Sequence, residues 1–230
     1  MTNSTYHELP MHRPTALASL FPLLCAALAA AGAASAQDLT VNPETGNSSF
    51  TAVFDAALGE RITALSSTVG CDVTLDEKTG LASGHCTVPL GSIRVDNDEV
   101  KSDHFRQWST NKKSEPSQCS FDATFSGVKI GPLTPEAPVP FTAQVPFTLC
   151  GRAREDGAKE KVSGTAVLFP AGAYGEKKTI RIRATVADFD REAYRIGPKF
   201  TDGWLARVQS LAKVVAPKGT IELSLFAKAK

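Results

Sequence analysis

Downstream of residue 48 the chain alternates apolar and polar positions with a period of two. Phe50, Ala52 and Phe54 alternate with Thr51, Val53 and Asp55, and Phe121, Ala123 and Phe125 with Ser120, Asp122, Thr124 and Ser126. Phe141, Ala143, Val145, Phe147 and Leu149 form a longer apolar face against Thr142, Gln144 and Thr148. Ile180, Ile182, Ala184 and Val186 oppose Arg181, Arg183 and Thr185, and near the C-terminus Ile221, Leu223 and Leu225 oppose Glu222 and Ser224. Such alternation predicts antiparallel strands, each burying one face. Residues 162–169, VSGTAVLF, add a less regular strand. Turn signals separate these segments at Lys78-Thr79-Gly80, at GPLTPEAP and at Arg154-Glu155-Asp156-Gly157. The pattern predicts one all-β domain and leaves barrel and sandwich both open; closure would remove exposed edges.

Two segments depart from period two. EVKSDHFRQW, from Glu99 to Trp108, predicts a short helix between strands. TDGWLARVQSLAKVV predicts a second, capped by Thr201 or Asp202, with Trp204, Leu205, Val208, Leu211, Ala212 and Val215 on one side and Pro217 and Gly219 ending it.

The N-terminus follows another logic. Residues 17–34 read LASLFPLLCAALAAAGAA, with His12 and Arg13 before them and Ser35 and Ala36 after. A basic start, an apolar run and a small-x-small exit predict a cleaved signal peptide over residues 1–36, with Met11 as an alternative start. Residues 37–230 are then the mature domain, periplasmic or secreted. An uncleaved anchor is the competing reading, disfavoured by the alanine content, Pro22 and the cleavage-like site. No other apolar stretch is long enough to span a bilayer as a helix. With 25 Lys+Arg against 24 Asp+Glu, the net charge of +1 leaves no electrostatic footprint for nucleic acid or an anionic membrane.

Without Cys25, four cysteines remain, and an even count in an exported chain predicts two disulfides out of three connectivities. Cys71 and Cys86 flank a hairpin turning near Lys78-Thr79-Gly80, which sets them opposite each other with both pointing inward. Cys119 and Cys150 are symmetric about IGPLTPEAPVP, but Cys119 shares parity with Phe121 while Cys150 shares it with Thr148 and Gln144. A bulge beside Gly151 would repair the mismatch, so this second pairing stays open.

Catalytic signatures are few. The chain has no G-x-S-x-G, P-loop, G-x-G-x-x-G or H-E-x-x-H motif. Asp96-Asn97-Asp98-Glu99 lacks the glycine and distal glutamate of a calcium loop and reads as a solvated turn. The RAREDGAKEK run reads as a solvated hairpin tip. His85 lies among polar neighbours and reads as solvent-facing, whereas His104, in SDHFRQW, is the one histidine in a setting suited to a site. A non-enzyme with no cofactor and no metal is expected. The remaining candidate is the interior. Phe50, Phe54, Phe121, Phe125, Phe141 and Phe147 line a tunnel for a long apolar ligand if the sheet encloses space, or fill a core if it does not.

Residues 70–197 resemble the YceI-like family of lipocalin-like exported proteins associated with polyisoprenoid binding. The resemblance is carried by GCDVTLDEKTG and VPLGSIRVDNDEVKSDHFR, with Ser92, Ile93, Asp96, His104 and Phe105 in matching places. It continues through SFDATFSGVKIGPLT and VPFTAQVPFTL, with Phe121, Gly127, Leu133 and Val145, then TIRIRATVADFDREAYRIG and the closing TIELSLFAKAK. The four cysteines, the FRQWSTNKKSEPSQ segment and the material around Trp204 depart from the family's pattern. The resemblance implies an eight-stranded antiparallel lipocalin-like barrel with one or two short helices and a lipid-sized tunnel. The partner it implies is an apolar long-chain ligand such as a polyisoprenoid, bound without covalent chemistry, with His104 and Trp108 near an entrance. A packed barrel acting as an interaction or stress-response module is the alternative. A homodimer is left open.

Overall fold

The computed structural model describes residues 36–110, 115–173, 175–197 and 215–230. Except for Ala36, the expected leader lies outside them, as does the Trp204 helix up to residue 214; Val215 already belongs to a strand. No helix among the described residues is long and apolar enough to cross a membrane.

Among the described residues, thirteen strands and one α-helix follow in chain order. They are β1 (Gln37–Val41), β2 (Ser49–Ala56), β3 (Arg61–Ser66), β4 (Gly70–Asp76), β5 (Leu81–Pro89), β6 (Arg94–Val95), α1 (Glu99–Ser109), β7 (Ser120–Lys129), β8 (Val139–Val145), β9 (Phe147–Leu149), β10 (Arg152–Ala153), β11 (Glu160–Phe169), β12 (Thr179–Asp190) and β13 (Val215–Ala229). Every predicted alternating segment is a strand, because a period-two pattern can bury its apolar half only as a pleated ribbon. Asp98 caps α1 by accepting from Lys101 N at 3.1 Å, which gives the acidic cluster a structural role.

All pairings between named strands are antiparallel, in one sheet ordered β10-β9-β7-β5-β4-β1-β13-β12-β11-β8, with β2, β3 and β6 branching from β13. The branch arises because one edge of β13 pairs with β2 as far as Ser49↔Ser224 and with β1 at Thr40↔Lys228 and Leu39↔Ala229. Between the two ladders the Phe226 N–H donates to Ser48 Oγ at 3.1 Å. That bond satisfies a donor the change of partner would otherwise strand.

The expected closed barrel of eight strands is therefore corrected: this is an open sheet of 13 strands. Its two ends are neighbours in sequence, since β8 pairs with β11 while β9, one residue on, pairs with β7 and β10. Pro146 separates them and has no N–H to carry a ladder through the junction. The sheet still curls strongly. Because β1 and β2 share one edge of β13, Phe50 on β2 and Phe121 on β7 are at least three strand spacings apart, about 14 Å if flat, yet their ring centroids are 5.5 Å apart.

Both disulfides are present. Cys71 lies directly opposite Cys86 on β4 and β5, with Cα atoms 4.1 Å apart. Cys119 bonds Cys150, with Cα atoms 4.6 Å apart. The parity mismatch at Cys150 is resolved by a turn and not by a bulge. Cys150 and Gly151 form the two-residue connection between β9 and β10, with φ of 48° and 72°, as a type I′ turn requires. The Cys150 N–H donates to Ser120 O at 2.9 Å, holding the turn beside Cys119.

Candidate functional site

The six phenylalanines expected to line the interior fall into two groups. Phe50, Phe121 and Phe147 are 3%, 7% and 3% exposed and meet ring to ring. Phe121 is the hub, with centroids 5.5 Å from Phe50, 5.2 Å from Phe147 and 5.8 Å from Phe189. Phe189 stacks on the fully buried Tyr194 at 4.9 Å and meets Phe54 edge-on at 6.4 Å. Tilted and edge-to-face rings at these distances fill space efficiently. This region is packed.

Phe125 and Phe141 behave differently. Each lies opposite a glycine in the adjoining strand, Phe125 against Gly84 of β5 and Phe141 against Gly164 of β11. Each ring covers its glycine: Phe125 Cζ lies 3.2 Å, and Phe141 Cζ 3.0 Å, from where a Cβ would stand. Glycine inside a strand forfeits side-chain packing, and here the forfeited space is used by a ring laid along the wall. Phe54 is placed likewise opposite Gly219, so it touches both groups.

Two further side chains show what these wall-hugging rings surround. Ile182 has buried neighbours on its own face in every direction: Ile180 and Ala184 along β12, Ala166 across to β11 and Leu225 across to β13. Leu223 is similarly ringed by Ile221, Leu225, Ala184 and Phe50. Both nevertheless keep accessible surface. For Ile182 that surface lies on the side around which the sheet curls, whereas Leu223 also borders the groove shared with Thr51 and Glu222. Ala123, Phe125, Phe141 and Ala143, also on inward positions, are likewise only partly buried. These six are inward apolar positions that stay partly exposed beside the aromatic cluster, and they border the candidate apolar chamber. The alternation marked all of them as inward but could not separate those facing space from those facing one another. The strand glycines were the usable signal.

Polar contacts anchor the packed end. Tyr194 Oη donates to the buried Glu160 Oε1 at 2.9 Å, and Arg154 Nη1 donates to the same oxygen at 2.7 Å. Burial, reinforced by Glu160, pushes the Tyr194 phenol well above its ordinary value. Burial lowers Arg191, whose guanidinium donates to the carbonyls of Ile196, Val215 and Ala216, tying the end of β12 to the start of β13.

His104 and Trp108 lie on α1, half-buried and stacked with centroids 6.0 Å apart. The Trp108 ring reaches the Gly197 backbone, 3.5 Å from where a Cβ would stand, and Arg152 donates to the Ser109 carbonyl at the helix end. They belong to the α1 contact and not to the six chamber residues. His85 sits on the surface, 3.4 Å from Asp122. Among the described residues, no group of three His, Cys, Asp or Glu side chains is spaced to hold a metal ion.

The outer face carries a groove of about 620 Å³, lined by Ser49, Thr51, Ser163, Arg183, Glu222 and Ser224 and also by Gly164, Ala184 and Leu223. Its lining mixes polar and charged side chains with apolar surface, whereas the six inward positions are apolar throughout.

No family model and no curated protein sequence matches this chain. Solved structures do. One is described as a polyisoprenoid binding domain from Saccharophagus degradans implicated in plant cell wall breakdown. It shares 10% sequence identity and a TM-score of 0.56, over 85% of this chain and 100% of that one. At that identity the likeness is one of fold.

Proposed function

We propose that this chain is an exported, non-catalytic carrier that holds one isoprenoid-like or other long apolar chain inside its curled sheet. The observation that carries this reading is the accessible surface kept by Ile182 within an otherwise buried face. Support comes from the rings of Phe125 and Phe141 laid against glycines, from two disulfides of the kind oxidising compartments permit, and from a neighbour of like fold described as polyisoprenoid-binding. The YceI-like resemblance of residues 70–197 points the same way. Apolar burial releases about 0.8 kcal/mol per methylene, so ten enclosed carbons supply roughly 8 kcal/mol before the cost of association. Affinity then needs no polar anchor and rises with chain length until the chamber is full.

Native mass spectrometry of the purified protein, followed by solvent extraction, tests this. The expected result is a co-purifying apolar molecule, or after delipidation a stoichiometric complex with added farnesol. Affinity should rise at least tenfold from geraniol to farnesol. A protein that binds neither alcohol would end the proposal.

A further inference from the structure

The strand pairing leaves β7 and β8 side by side with no ladder between them. β9 holds β7 only through Phe121↔Leu149, Asp122↔Thr148 and Ala123↔Phe147, so from residue 124 to Lys129 that edge of β7 has no strand partner among the described residues. β8 pairs with β11 alone, and its other edge faces the same gap. The chain leaving β7 does not fold back onto it as a hairpin. It crosses toward β11, where Pro135 bridges Leu168 and the Glu136 N–H donates to Leu168 O at 2.7 Å. The result is a slit with two closed ends: Pro146 at one, and at the other Gly131, whose missing Cβ would lie 3.2 Å from Val139 Cγ1.

Its inner margins are Phe125 on β7, and Phe141 and Ala143 on β8. Both rings lean away from the gap, Phe125 over Gly84 on the far side of β7 and Phe141 over Gly164 on the far side of β8. A Cβ at Gly84 would collide with the Asp72 carbonyl and one at Gly164 with the Arg183 carbonyl, so both glycines are required by the close strand approach that lets the rings retract. Pro140 on the β8 edge removes an N–H that could draw a foreign strand into the gap.

We propose that the slit between β7 and β8, bordered by Phe125 and Phe141, is the entrance by which an apolar chain passes sideways into the chamber. This rests on the carrier reading above. A chain entering along its length needs only hydrocarbon-wide clearance and meets apolar margins once past the exposed Thr124, Ser126, Thr142 and Gln144, and the packed aromatic end offers no such route.

Stopped-flow fluorescence with a dansyl-labelled farnesyl chain tests the slit. Ala143→Trp puts bulk at its margin, and Leu223→Trp takes similar volume from the wall of the chamber away from it. Both variants should weaken equilibrium binding, but only Ala143→Trp should slow association, by at least tenfold. Phe141→Leu, a smaller change that preserves the core, should speed association and so covers the case in which Ala143→Trp does not fold. Equal association rates in Ala143→Trp and wild type, or equal slowing by Leu223→Trp, would overturn the slit while leaving the carrier standing. Wild-type protein that takes up no probe would remove both.

Discussion

Two ends of one interior are built from the same residue type to opposite effect. Phe50, Phe121 and Phe147 stand opposite Leu223, Val88, Leu149 and Ala123, and finding no space along the wall they turn inward and lock together. Phe125 and Phe141 stand opposite Gly84 and Gly164 and lie flat. The difference teaches that the partner across the ladder decides whether an inward aromatic fills a cavity or papers its wall. The packed end should carry stability, and the glycine-lined half should carry binding.

The sharpest way to break that division is to truncate one ring from each end. Phe121→Ala should cost about 3–5 kcal/mol, because it leaves a cavity among the rings of Phe50, Phe147 and Phe189. Phe141→Ala should cost well under half of that, about 1–2 kcal/mol, yet weaken farnesol binding more than Phe121→Ala does. Chemical denaturation and a binding titration on both variants check the pair. Equal effects of the two variants in both assays would erase the distinction.

The disulfides come next. Replacing Cys119 and Cys150 with serine opens a 31-residue separation and should cost just under ~4 kcal/mol; replacing Cys71 and Cys86 opens one of 15 residues and should cost about 3 kcal/mol. Only the second pair stands in the chamber wall beside Gly84, so only its loss should also alter ligand affinity. Thermal unfolding and the same titration separate the two results.

Gly164→Ala should destabilise by about 1–3 kcal/mol, since its Cβ meets the Arg183 carbonyl across β12 and the backbone must shift. Affinity should fall as Phe141 is pushed off the wall. A neutral substitution would show that the close approach is not needed.

The smallest effect is a pH limb. Folding favours the neutral Tyr194 phenol, whose pKa stands above its unfolded value near 10. Its contribution is complete below that value and is lost as pH rises past it. Stability should decline above pH ~10 in the wild type and decline less in Tyr194→Phe, as followed by circular dichroism. At the acid end Asp72, beside Lys230, and Asp156, beside Arg154, have pKa values below the ordinary carboxylate. Their contribution is present above about pH 4 and lost as pH falls below it.

Much of the fold was legible in the alternation, because a one-sided strand leaves the same trace wherever it pairs. The Cys71–Cys86 bridge was legible for the same reason: a symmetric hairpin fixes which residues face. Pairing between distant strands was not. Nothing local in IGPLTPEAPVP says that Pro135 docks on Leu168 instead of turning β8 back along β7, and so an open sheet was anticipated as a closed barrel. The chamber was half legible. Ile182 and Leu223 were assigned to the inward face, but burial depth depends on residues brought across from other strands. Gly84 and Gly164 were visible in SGH and SGT yet carried no meaning until Phe125 and Phe141 were found opposite them.

The most direct test is an NMR titration of the isotope-labelled protein with farnesol, followed at methyl and aromatic resonances. Ile182, Leu223, Ala143, Phe125 and Phe141 should shift together and saturate at one equivalent, with Phe189 and Tyr194 unmoved. Shifts confined to the outer groove around Arg183 and Glu222, or spread through the ring cluster with Ile182 and Leu223 unchanged, would contradict an open chamber beside a packed end.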